Sequence, residues 1–159
     1  MRQTRAKGFT LVEMVITVAI VGLLATAAFP LAELGVRRAK EQDLRIALRT
    51  LRGGLDAYKA ASDAGHIEKE LDASGYPPTL DVLADGVVDI KSPNGSRIYF
   101  LRRIPRDPFY PDGSVPASTS WALRSYDSGP VDPQPGDDVF DIHSTSQRVG
   151  LNGVAYAIW

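Results

Sequence analysis

The sequence predicts an α+β fold, in which a long N-terminal helix packs on a small antiparallel sheet with long loops. Three observations carry that expectation. Residues 9–32 form a nearly unbroken apolar run, long enough as a helix (about 35 Å from Phe9 to Leu31) to cross a hydrocarbon core of roughly 30 Å. Beyond Pro30 the pattern turns amphipathic, with Leu44, Leu48, Leu51, Leu55 and Tyr58 recurring at steps of three and four. From Ser62 the chain becomes rich in Gly, Pro, Asp and Ser and carries short strand candidates. A helix followed by short strands is the α+β order.

The elements follow in order. Residues 1–8 form a short basic leader (Arg2, Arg5, Lys7) ending in Gly8, residues 9–32 a membrane helix, residues 33–61 its amphipathic continuation, and residues 62–159 a globular part. The basic flank places the N-terminus in the cytoplasm and the rest across the membrane. A secretory signal peptide would carry its small residue after the apolar core, whereas Gly8 stands before it. Gly22 and Pro30 predict a kink or a melted turn between them. In the amphipathic half, Ala47 thickens the apolar stripe, while Glu41, Arg45, Arg49, Arg52, Asp56 and Lys59 are assigned to the other faces.

Gly65, Gly75, Pro77 and Pro78 end the helix, and Leu80–Leu83 is a short helical turn. Strands are expected at Arg97–Leu101, Trp121–Tyr126 and Val139–Ile142, and residues 154–159 form a last strand or a docked tail. Trp121, Tyr156 and Trp159 are core candidates.

Composition narrows the chemistry. With 18 basic and 19 acidic residues the net charge is −1, so no basic excess is available to neutralise phosphates, and nucleic acid is not an expected partner. The absence of cysteine excludes disulfides, thiolate nucleophiles and Cys-ligated zinc. His66 and His143 sit in no metal or triad pattern and are expected at the surface. Ser144 and Ser146 have no base signature beside them. A membrane-anchored periplasmic enzyme therefore finds no set of catalytic groups here, and the chain is not expected to be an enzyme.

The residue that demands an explanation is Glu13. A carboxylate near the bilayer centre costs about 2.5–3.5 kcal/mol on insertion scales. Cleavage after Gly8 would create a partner for it, the α-amino group of Phe9, largely protonated at neutral pH. The two groups lie four residues apart, and a neighbouring subunit displaced along an axis could pair them between chains. An unpaired charge in lipid is penalised, so such pairing would pull subunits into register.

Lys7-Gly8-Phe9-Thr10-Leu11-Val12-Glu13 resembles the processing motif of the type IV pilin superfamily. The resemblance implies that a prepilin peptidase and methyltransferase cuts between Gly8 and Phe9 and methylates the Phe9 amine. It also implies that Phe9 and Glu13 drive subunit docking. Tyr76-Pro77, Tyr99, Leu101, Ile104-Pro105, Asp107-Pro108-Phe109 and the segment from Trp121 to Ile142 are similar to the major pseudopilin of type II secretion.

That family implies a helical homopolymer forming a periplasmic filament that helps move folded proteins across the outer membrane. Its implied partners are minor pseudopilins and the inner-membrane secretion platform. The alternative in the same superfamily is a type IV pilin or minor pilin of a surface or DNA-uptake filament. The family's loop commonly holds calcium, which takes six to eight oxygen ligands. By that pattern Ser128, Asp132 and Asp138 are the metal candidates, although Pro133 stands where the family tends to have glycine. Asp56 is a candidate for an ion pair with a neighbouring subunit.

Overall fold

The computed structural model describes residues 8–159. The chain divides into two compact units, one ending at Ala39 and the other running from Lys40 to Trp159. The basic leader residues Arg2, Arg5 and Lys7 lie outside the described residues.

Helix α1, Leu11–Asp63, contributes to both units and ends two residues beyond the expected boundary. In the first unit its large apolar side chains, from Leu11 to Leu34, are exposed, among them Leu23, Phe29 and Leu31. The expected melted turn is not there: residues 22–30 are helical throughout, with Pro30 inside α1. Proline forfeits one backbone bond, and the alanine-rich stretch before it has the highest helix propensity to carry the turn. The hydroxyls here are satisfied within the helix. Thr17 Oγ1 donates to the Glu13 carbonyl at 2.6 Å and Thr26 Oγ1 to the Leu23 carbonyl at 2.7 Å, as an apolar surrounding requires of polar groups.

The second unit is built on the other half of α1. Leu44, Ala47, Leu48, Leu51, Leu55 and Tyr58 are all buried, so the stripe legible in the sequence is the core face. Ile67, Leu80, Leu83, Trp121, Val139, Ile142 and Tyr156 close over it. Gly54 lies within the stripe because Leu101 needs the space: a Cβ there would stand 3.0 Å from Leu101 Cγ.

After α1, a short helix α2 (Val82–Asp85) is followed by β1 (Val87–Val88), β2 (Arg97–Ile98), β3 (Trp121–Arg124) and β4 (Asp141–Ser144). They make two two-stranded antiparallel sheets: β1 with β2, and β3 with β4, the latter in the register Trp121↔Ser144 to Arg124↔Asp141. Strand β1 was not expected, because two residues are too few to show an alternation.

Strand β2 stops at Ile98, short of Leu101, because the Phe100 and Leu101 amides both turn to the Leu83 carbonyl, at 3.0 and 2.9 Å. Strand β4 begins later than expected because the Val139 amide donates instead to the Pro77 carbonyl, at 2.8 Å. Of the two expectations for the terminus the docked tail holds. Residues Tyr156–Ile158 form a 3₁₀ turn, with a single bridge between Val149 and Ala155.

Two polar side chains of α1 fasten this tail, contrary to their assignment to solvent-facing sides. The buried Glu41 accepts from the Tyr156 hydroxyl and the Leu151 amide, each at 2.8 Å. Arg52 donates to the Asp141 carboxylate (2.8 Å), the Ile142 carbonyl (3.2 Å) and the Trp159 carbonyl (2.9 Å). Arg45 lies over the Trp159 ring, 4.5 Å from its centroid. Trp121 and Tyr156 are buried and Trp159 is packed against the core, as expected.

The histidines are not simple surface residues. His66 Nδ1 is 2.9 Å from Asp89 Oδ1, and that hydrogen bond, with the Lys91 amide, holds the Asp89 carboxyl below the usual carboxylate range. His143 lies in β4 opposite Ala122, where burial lowers its pKa; Arg52 adds to the shift and Asp141 opposes it.

Four outcomes are expected. Leu51→Ala should lower unfolding stability by about 2–5 kcal/mol, as for other buried leucines. Ile46→Ala, on an exposed part of α1, should change it little in the same denaturant titration. A double-mutant cycle between Glu41→Ala and Tyr156→Phe should give a coupling of roughly 0.5–3 kcal/mol, and additive losses would disprove the anchor.

The fourth concerns pH. Folding depresses the His143 pKa, so its contribution to stability is complete above the ordinary histidine value of 6.5 and is lost as pH falls through the lower folded value. His143→Gln should flatten the stability profile in that window. An unchanged slope would show that His143 is not its source.

Candidate assembly site and acidic loop

The start of α1 is shaped by a reciprocal cap that the sequence motif contains but whose local role was not foreseen. The Thr10 amide donates to Glu13 Oε2 at 3.5 Å, and the Glu13 amide donates to Thr10 Oγ1 at 3.3 Å. Thr10-Leu-Val-Glu13 is thus a capping box, in which the residue before the helix and the third residue inside it satisfy each other's backbone donors. The signal is the Thr-x-x-Glu spacing ahead of an apolar run.

The carboxylate also sits in the first turn, where the helix dipole favours negative charge. Glu13 therefore has a use within one chain before any second subunit is considered. Phe9 and Gly8 precede the helix and are exposed, and a Cβ on Gly8 would meet nothing within 4 Å. Among the described residues nothing crowds the Gly8–Phe9 junction.

The three metal candidates lie in the loop between β3 and β4, and each already accepts a hydrogen bond there. Ser128 and Asp132 belong to the same turn. Ser128 Oγ accepts the Gln134 amide at 2.7 Å and donates to the Asp132 carbonyl at 3.3 Å, while Gln134 Nε2 donates to Asp132 Oδ1 at 2.9 Å. The Asp138 carboxylate is occupied elsewhere, accepting the Tyr126 amide at 2.8 Å and the Ser74 hydroxyl. Among the described residues no group of three or more His, Asp or Glu side chains is placed to hold a metal ion.

Asp138 also borders an open groove of about 790 Å³, whose walls include Glu68, Glu70, Asp72, Asp127 and Tyr76. Tyr76 and Tyr126 stack beside it with ring centroids 6.0 Å apart. Asp56 is exposed on α1.

One acidic residue, named in the sequence only as part of the resembling segment Asp107-Pro108-Phe109, carries structural weight. Asp107 is fully buried and accepts the Ser144 hydroxyl at 2.5 Å and the Phe109 amide at 2.8 Å. The Asp107 amide in turn donates to Ser120 Oγ at 3.1 Å. This aspartate ties the segment Ile104–Phe109 to β4 and to the turn before β3. Beside the resemblance of its segment, the local signal for its role is its place between Pro105 and Pro108, where it forms an Asx turn with the Phe109 amide.

Comparison with known proteins agrees with these features. Residues 3–29 match the model of the prokaryotic N-terminal methylation motif. The chain is 28% identical over 142 residues to the type II secretion system core protein G of Klebsiella michiganensis, covering 87% of this chain and 92% of that one. It is 32% identical over 112 residues to the core protein G of Klebsiella pneumoniae, covering 68% and 72%. A fimbrial protein, EcpB of Eikenella corrodens, is 37% identical over 97 residues, covering 61% of this chain and 50% of that protein. No solved structure matches. With an N-terminal methylation motif, an exposed apolar helix and relatives aligned over most of their length, the chain belongs to the family of the type II secretion system core protein G.

Proposed function

We propose that this chain is a structural subunit of a type II secretion pseudopilus, a periplasmic filament that helps move folded proteins across the outer membrane. The observation that carries the reading is its relationship to core protein G, which runs from the processing motif through the globular part. The chain stands in the inner membrane by residues 9–32, N-terminus cytoplasmic, until the filament draws it out. The exposed helix, whose most apolar window has a mean hydropathy of 2.3, supports this: among the described residues its surface is uncovered, which suits either lipid or neighbouring helices.

Before assembly, a prepilin peptidase removes residues 1–8 and the Phe9 amine is methylated. The open Gly8–Phe9 junction supports access by that enzyme. Glu13 then exchanges its capping role for a charge pair with the Phe9 amine of an adjacent subunit, and an apolar surrounding makes that pair register-setting. The filament is a homopolymer, with minor pseudopilins and the inner-membrane platform as further partners. The match to a fimbrial protein supports a second reading, a type IV pilin or minor pilin, with the same processing and the same use of Glu13.

The test separates the cap from the charge. Glu13→Gln keeps an oxygen acceptor for the Thr10 amide and loses the charge, so insertion and the folded globular part should survive while filaments disappear. Filaments that persist in Glu13→Gln would overturn the assembly role. Mass spectrometry of the membrane-extracted protein should show a chain beginning at Phe9 with one added methyl group. In a deletion strain, lost secretion with surface pili intact supports the pseudopilus, and lost pili with secretion intact supports the pilin.

A further inference from the structure

The loop joining β3 to β4 is where the family resemblance puts calcium, yet each of its three candidate ligands already accepts an N–H or O–H donor. We propose that in this chain the guanidinium of Arg124 takes the place of a metal ion, so that the loop is organised without calcium. A calcium site needs six to eight oxygens turned inward with their lone pairs free. Here Arg124 Nε donates to the Ser128 carbonyl at 3.1 Å, which puts a fixed positive charge on the turn that carries two of the three candidate ligands.

The remaining candidate oxygens are used in the same way. Ser128 Oγ receives the Gln134 amide, Asp132 Oδ1 receives the Gln134 side-chain amide, and Asp138 Oδ1 receives the Tyr126 amide. A donor proton and a cation cannot share one side of an oxygen, and a guanidinium repels a second positive ion. The donor set is that of a self-satisfied turn, not of a cation cage.

Arg124 is held for this task. It ends β3 opposite Asp141, so its backbone is fixed by the ladder, and its guanidinium lies over the Phe140 ring at 5.0 Å. The loop closes on it by further backbone contacts, the Ser125 amide donating to the Gln134 carbonyl at 3.0 Å. Gly136 permits the closure, since a Cβ there would come within 2.8 Å of the Ser125 side chain. Pro130, Pro133 and Pro135 restrict the unfolded loop and lower the entropy lost on ordering it. Chain stiffness and one internal cation do what a bound ion does in a loop of free carboxylates.

The experiment uses the full-length chain in detergent micelles, comparing excess calcium with excess chelator by thermal unfolding, calorimetric titration and amide exchange. Wild-type protein should show the same Tm in both, no heat of calcium binding, and equal protection of the Ser125, Ser128 and Gln134 amides. Arg124→Gln should speed exchange at those amides by about tenfold, as expected for loss of one charge-assisted hydrogen bond, and calcium should not restore it.

Arg124→Lys, which keeps the charge without the planar fork, should fall between the two. A calcium-dependent rise in the wild-type Tm, or stoichiometric binding heat, would overturn the proposal without any variant having to fold. Loop exchange in Arg124→Gln equal to wild type would overturn the role given to Arg124.

Discussion

The globular unit hangs on one apolar stripe. Leu44, Leu48, Leu51 and Leu55 present a continuous buried edge of α1, and every later element is placed by what it contributes to covering that edge. The strands are too short to stand alone, since two-stranded pairs are marginal in water without an apolar face to pack on. The long loops are tolerable for the same reason: their ends are pinned to a helix whose geometry does not depend on them. Gly54 shows how close the approach is, because Leu101 occupies the volume that any side chain there would need.

Around this apolar spine the polar groups act as clamps of fixed direction. Glu41 and Arg52 hold the C-terminal tail from α1, and Asp107 holds the middle segment to β4. Each is a polar group met by several hydrogen-bond partners, the condition under which burying polar atoms is affordable. Apolar burial fixes that the tail docks; these clamps fix in which register.

Under the proposed function Glu13 has two successive uses rather than one. In a single chain it closes a capping box with Thr10, which gives the helix a defined first turn. In the proposed filament the same carboxylate is charge-paired across subunits. The two roles are compatible because the cap's energy is small, typically about 1 kcal/mol, beside the cost of an unpaired carboxylate in lipid. In that proposal a residue costly in the membrane is tolerated locally until the partner subunit's amine reaches it.

Much was determined by the sequence alone: the apolar run, the stripe of α1 and its burial, the Thr10–Glu13 motif and the order of helix then strands. These are local or periodic properties, and periodicity fixes which face of a helix is apolar whatever packs on it. Even Glu41 was legible in principle, being three residues before Leu44 and so on the buried face. Only the tertiary structure decided the rest. It fixed the ends of β2 and β4, where Leu83 and Pro77 carbonyls captured the amides of a would-be strand, and it placed Asp107 in the core. It also decided that the acidic loop turns its oxygens onto Arg124, Gln134, Tyr126 and Ser74. Competition among hydrogen-bond partners distant in the chain is settled by which of them the folded core brings within about 3 Å, and no spacing in the sequence encodes that.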